Sequence, residues 1–220
     1  MNEFLWGALP YVAFTFLVIG TIVRYSFFER GWTTKSSQML DKKSLMIAGP
    51  MFHLGLFMAF GGHVIGVLIP KFCTEAVGID EHLYHIIAIA GGVPAGLLFF
   101  LGFFMLMQRR FSNPRVAVNT SKTDGVLYAI LFVTIVTGLL STAYNILIGF
   151  DYREAVSPWF RSLLMFSPDV SLMTDVPIIF KVHMLCWMLT GIIFPFTRLV
   201  HCLSFPFEYF GRSNIIYRRK

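Results

Sequence analysis

Five stretches of this 220-residue chain are apolar over the thickness of a bilayer: Phe4–Phe28, Leu45–Ile69, His85–Met107, Gly125–Phe150 and Ile178–Ser204. A hydrocarbon core of ~30 Å takes about 20 residues of helix to cross. Inside lipid the backbone must satisfy its own hydrogen bonds, so each run is expected to be a helix. The chain is thus predicted to be all-α, an integral membrane bundle of five transmembrane helices over residues 1–206, followed by a basic tail at 207–220. No stretch is left over for a soluble catalytic domain.

The loops fix an orientation. Glu3 precedes the first run and Arg24 and Arg30 follow it, the reverse of a cleavable signal peptide, which carries its positive charge in front. The first helix is therefore expected to be retained with the N-terminus outside. Of the 18 Lys and Arg, 14 then fall on the cytoplasmic side, and only Lys71, Arg153, Arg161 and Lys181 on the other. Basic residues stay in the cytoplasm, so the C-terminus is placed there and the protein in the cell (cytoplasmic) membrane. Topology and membrane lipid account for the net charge of +6, and nucleic-acid binding is not needed.

Ionisable side chains inside such helices are costly and default to functional roles. The run Met51–Ile69, MFHLGLFMAFGGHVIGVLI, carries His53 and His63, and Pro177–Pro206 carries His183 and His201. With the second helix running outward and the fifth inward, the histidines at matching depth are His53 with His201 and His63 with His183. Four histidines paired in this way on two helices are what two bis-histidine b-type haems require, one proximal to the cytoplasm and one distal. On an unbroken helix, His183 and His201 stand five whole turns apart, whereas His53 and His63 fall about 80° short of three turns. The rises differ too, at roughly 27 Å against roughly 15 Å, a gap that a kink at Pro195 would help to close.

The surroundings bear on that reading. Gly55 lies beside His53, and Gly61, Gly62 and Gly66 lie around His63, where a macrocycle needs room. Arg198 precedes His201 by one turn, and Arg109 and Arg110 end the third helix on the same side. Their guanidinium groups suit haem propionates, or equally lipid headgroups. The third helix gathers Gly91, Gly92, Pro94, Ala95 and Gly96, small residues that admit a flat cofactor or a neighbouring helix. The fourth helix reads as scaffold. The link Asp151–Pro177 has an amphipathic centre, Pro158–Phe166, suited to a short helix in the interface plane, acting as a lid or as a spacer. Cys73, Cys186 and Cys202 form neither CxxC nor CxxCH, which argues against zinc, iron–sulfur and c-type haem sites.

Several motifs together resemble the gamma subunit of respiratory nitrate reductase, a di-haem cytochrome b. They are SSQMLDKK at Ser36–Lys43, FHLG at Phe52–Gly55, GGHVIG at Gly61–Gly66, RRFSNPRV at Arg109–Val116 and FPFTRLVHCLSFPFEYF at Phe194–Phe210. The resemblance spans nearly the whole chain. It implies a subunit that oxidises quinol, menaquinol in particular, near the distal haem at the outer face. Electrons pass through both haems to an iron–sulfur beta subunit and on to a molybdenum-containing alpha subunit, where nitrate is reduced. It implies His63 and His183 as distal ligands, His53 and His201 as proximal ones, a quinol site at Gly62 and His63, and docking of Phe207–Lys220 on the beta subunit. Members of the family place a lysine near the start of the third helix. This chain has DEHLYH at Asp80–His85 instead, which makes His82 and His85 the candidates for holding the quinol oxygen.

Two other functions use the same helices. One is a di-haem cytochrome b anchor for a different cytoplasmic reductase, and the other is a haem-free transporter or structural anchor. A proton-coupled transporter is expected to carry acidic residues inside its helices, and the second to fifth runs contain no Asp or Glu.

Overall fold

The computed structural model describes residues 1–28, 32 and 36–203; the tail Phe207–Lys220 lies outside the described residues. Among these residues there is no strand. Five helices are long and apolar enough to cross a membrane: α1 (Phe4–Phe27), α2 (Lys43–Leu68), α3 (Glu81–Ser112), α4 (Lys122–Ile148) and α5 (Ile178–Phe196). They correspond one to one with the five apolar runs.

Local chemistry sets the ends. The Asp80 carboxylate accepts from the Leu83 N–H at 2.8 Å and starts α3 a turn earlier than hydropathy suggests. Ser121 and Asp124 form a reciprocal capping box that starts α4, satisfying two otherwise orphaned N–H groups. Gly149, at φ +79°, ends α4 in the left-handed conformation, which costs glycine nothing sterically. The fifth run is not one continuous helix. It is α-helical to Ile193, tightens into a 3₁₀ turn at Phe194–Phe196, and extends at Thr197. A second 3₁₀ turn, Arg198–Leu203, then carries His201. Pro195 has no N–H to continue the α ladder, so the five straight turns predicted between His183 and His201 are replaced by a broken path.

The helices close in the order α2, α3, α4, α5, α1. The α2–α3 contact is the most intimate. A Cβ at Gly55 would stand 2.7 Å from the Phe99 Cα and 2.8 Å from the Ala95 carbonyl, and one at Gly102 would stand 2.7 Å from the Phe52 Cα. Gly55 therefore serves backbone-to-backbone packing instead of clearing space beside His53. Gly96 meets Leu139 of α4, Gly138 meets α5 at His183, and Gly20 of α1 lies on Pro195. By contrast α2 and α5, which carry His53, His63 and His183, are not among the closely packed pairs.

One end of the bundle is sealed by the link after α4. Its helix, Val156–Leu164, buries Val156, Trp159 and Leu163 in a cluster with Trp6, Ala13, Met173, Val176, Phe180 and Met188. Trp159 meets Trp6 edge to face at 5.8 Å and donates its indole N–H to the Trp6 carbonyl at 2.9 Å. This helix begins two residues before the segment expected from sequence. Its buried face rests on the bundle, and Leu164, Met165 and Phe166 project outward.

Candidate functional site

The seam between α2 and α5 is bridged by histidines. His63 and His183 have ring centroids 5.9 Å apart with planes at 25°. His53 and His201 have centroids 6.5 Å apart with planes at 80°. These are the two pairs that depth matching predicts. The 80° mismatch along α2 persists, because that helix stays α-helical from Lys43 to His63 and changes to a π turn only at Val64–Leu68. The break in the fifth run is what brings His201 opposite His53.

All four rings are fixed through Nδ1. His53 meets the Gly49 carbonyl at 2.8 Å, His63 the Ala59 carbonyl at 2.6 Å and His201 the Arg198 carbonyl at 2.5 Å. His183 reaches across to α4, with the Thr134 carbonyl at 2.9 Å and the Thr137 hydroxyl at 3.2 Å. A carbonyl can only accept, so each Nδ1 carries a proton, which in the neutral ring leaves the lone pair on Nε2. That is the tautomer a metal-binding imidazole needs, with its outer N–H anchored by a backbone oxygen.

The pairs fit a haem iron. An imidazole nitrogen binds a metal at roughly 2 Å and lies about 1 Å from its ring centre, so two rings on opposite faces of one iron have centroids roughly 6 Å apart. Both pairs meet that spacing. His53 and His63 are exposed on apolar helices, and covering them with a macrocycle removes the cost of bare imidazole in lipid. Among the described residues no three His, Cys, Asp or Glu side chains gather at one point; the two histidines of each pair would hold one haem. Trp187, one turn after His183, donates its indole N–H to His183 Nε2 at 3.1 Å. That nitrogen would go to iron in a loaded site, and the indole would turn aside.

The arginines considered for propionates are held at the His53 end. Arg109 is buried and donates to the Ser37 hydroxyl and carbonyl, both at 2.9 Å, and to the Asp41 carbonyl at 2.7 Å. Arg110 donates to the Thr120 hydroxyl at 3.0 Å and lies over the Tyr128 ring. Arg198 grips Asp124 through both carboxylate oxygens, at 2.8 and 2.5 Å. Asp124 is 2 % exposed, so this ion pair joins the start of α4 to the turn that carries His201. Arg24 donates to the carbonyls of Pro195 and Thr197 and braces the same break.

At the His63 end, Gly62 is exposed, and a Cβ there would meet nothing within 4 Å. His82 is exposed and His85 half-buried on the first turns of α3. Between them, Tyr84 shares a 3.0 Å hydroxyl contact with Tyr152, and both hydroxyls cover Gly66, three residues beyond His63. Burial and the neighbouring Tyr84 push the Tyr152 phenol well above its usual range. Arg153 stacks 3.7 Å above the Tyr84 ring. Lys71, from the link after α2, stands 2.9 Å from Glu81 and 3.0 Å from Glu154. Those two carboxylates hold its ammonium group above the usual lysine range.

Sequence reasoning left out the contribution of α4. Thr134, Thr137 and Gly138 form the floor on which His183 lies. Thr137 and Gly138 are adjacent and Thr134 is one turn earlier, so the three share a helix face. The face is visible in the sequence, but what it faces is not.

An all-α bundle of five membrane-length helices, with histidines paired across one seam, defines a multi-pass membrane protein. The family of nitrate reductase gamma subunits matches residues 2–220, and the chain belongs to it. It is 42% identical over 220 residues to the nitrate reductase gamma chain of Bacillus subtilis, covering 100% of this chain and 99% of that one. It is 32% identical over 223 residues to the respiratory nitrate reductase 1 gamma chain of Escherichia coli, covering 100% and 98%. At 40% identity it also matches a nitrate reductase-like protein, NarX, of Mycobacterium tuberculosis, of which it covers 34%. The protein is thus a membrane subunit of a nitrate reductase complex.

Proposed function

We propose that this subunit oxidises quinol, menaquinol in particular, at the outer face of the cytoplasmic membrane and passes the electrons inward to an iron–sulfur beta subunit. A molybdenum-containing alpha subunit then reduces nitrate, and no nitrate chemistry occurs on this chain. The observation that carries the reading is the geometry of the pairs: two sets of histidines at two depths, each with the ring separation of one iron and each ring held at Nδ1 by a backbone carbonyl. When bound, two b-type haems supply one-electron transfer across the membrane.

The chain's own residues do the rest. His63 and His183 hold the distal group and His53 and His201 the proximal one. His63 also walls the quinol pocket, where the exposed face at Gly62 lets a flat ring approach. His82 and His85, on the first turns of α3, would hydrogen-bond the quinol oxygen and take its proton. Arg109, Arg110 and Arg198 line the proximal end, where any propionate contact would compete with the partners they already hold. The basic tail at 207–220 docks on the beta subunit.

A reduced-minus-oxidised absorption spectrum of the purified protein, with haem counted per polypeptide, tests this directly. Two b-type haems are expected, falling to one in His63→Ala and in His183→Ala with loss of menaquinol oxidation. Well-folded protein without haem, or a His63→Ala variant that keeps both haems and full activity, overturns it.

A further inference from the structure

His53, His63 and His201 take their Nδ1 partner from a carbonyl about one turn earlier in their own segment. His183 takes it from another helix. We propose that Thr134, Thr137 and Gly138 of α4 form a positioning site for His183, so that a helix carrying no ligand governs the donor strength and ring orientation of one haem ligand and not of its counterpart at the other depth. The proposal rests on the haem reading above.

The hydrogen-bond directions support it. The Thr137 hydroxyl donates its own proton to the Val133 carbonyl at 2.7 Å. Its oxygen therefore faces His183 Nδ1 at 3.2 Å as an acceptor, beside the Thr134 carbonyl at 2.9 Å. One imidazole N–H thus has two acceptors. Drawing its proton outward makes Nε2 a stronger donor, and a stronger axial donor stabilises oxidised iron and lowers the potential. Among the described residues, His53 and His63 have one backbone acceptor each at Nδ1 and no hydroxyl partner there. Orientation comes from Gly138. A Cβ there would stand 3.0 Å from His183 Cε1, tighter than ordinary packing, and 3.5 Å from Nδ1, so a methyl would push the imidazole a few tenths of an ångström off the place it takes against α4.

The test uses the full chain in its assembled complex, with redox titration of both haems and haem counted per polypeptide. His183→Ala, which removes that site, assigns which midpoint potential belongs to it. Thr137→Val keeps the shape of the side chain and deletes the acceptor. It is expected to retain two haems and to raise that one potential, leaving the other unmoved. Thr137→Ser, which keeps the hydroxyl, is expected to restore it. Gly138→Ala is expected to alter the low-spin electron paramagnetic resonance signal of the same haem, or to lose that haem alone. Thr137→Val with two haems and neither potential moved overturns the proposal. Equal movement of both, or loss of both haems, also overturns it, because either marks a general packing defect. A wild-type protein that binds no haem would refute the haem reading itself, a result distinct from an unmoved potential.

Discussion

Replacing Asp124 with asparagine should weaken the His53 end far more than the His63 end. The carboxylate is 2 % exposed and takes three N–H groups: Arg198 Nε at 2.8 Å, Arg198 Nη2 at 2.5 Å and the Ser121 backbone at 2.9 Å. Asparagine keeps the shape, removes the charge, and must turn an NH₂ toward at least one of these donors. Breaking a buried ion pair by removing one partner costs about 3–5 kcal/mol, because the other charge is left buried without compensation. The residue that loses this partner is Arg198, whose own carbonyl anchors His201. If the cost falls on that turn, ligand retention there weakens by ~100-fold or more, at about 1.4 kcal/mol per factor of ten. Ser121→Ala is the control. It removes one cap acceptor, costs about 1 kcal/mol, and leaves the ion pair in place. The assay is thermal loss of haem in detergent, followed in the visible spectrum, with the component removed by His201→Ala taken as the proximal one. Asp124→Asn should lose that component first and Ser121→Ala should lose neither early. An Asp124→Asn protein that releases haem at the wild-type temperature, or loses the distal component first, would refute the reasoning.

The remaining predictions concern packing, charge and spectroscopy. Gly55→Ala forces a methyl to within 2.8 Å of backbone atoms of α3, so α2 and α3 must part and the yield of folded, membrane-inserted protein should collapse. Gly61→Ala, whose methyl meets nothing within 4 Å, should insert normally with stability within about 0.5–1 kcal/mol of wild type; equal behaviour of the two variants would contradict the α2–α3 contact. Lys71→Ala should change thermal stability by only about 0–1 kcal/mol, since Glu81 and Glu154 are largely exposed and surface pairs contribute little. The raised Lys71 pKa means that whatever the clasp contributes is present at neutral pH and is lost only as strongly alkaline pH carries the folded protein through it; a clear drop in stability between pH 7 and 9 caused by this residue would contradict that sign. Finally, ring planes at 25° and 80° leave the two irons with different orbital splittings. The crossed His53–His201 pair is expected to give the larger low-field g value, and indistinguishable signals from the two sites would count against the ring geometry.

Much of this protein follows from its sequence through simple physics. Hydrocarbon admits only chain segments that close their own hydrogen bonds, so five apolar runs became α1 to α5 with no alternative to weigh. The alternation of direction through a bilayer then ranks residues by depth, and that one-dimensional ordering was enough to pair His53 with His201 and His63 with His183. Asp80, the Ser121–Asp124 box and Gly149 mark helix ends in local chemistry that a reader of the sequence can see.

The tertiary structure decided which face meets which, because a helical period says that residues share a side but not what stands opposite. Gly55 looked like clearance for a cofactor and is instead the seat of Phe99. Arg198 suited a haem propionate or a lipid headgroup by sequence and is paired with Asp124, 74 positions away in sequence. The fifth run looked like one helix, yet Arg24 of α1 stabilises its break at Pro195 by donating to the carbonyls of Pro195 and Thr197. The fourth helix, with no titratable group in its middle, looked inert and proves to hold His183. Each of these depends on contacts between distant segments, and only the folded bundle brings those segments within reach of one another.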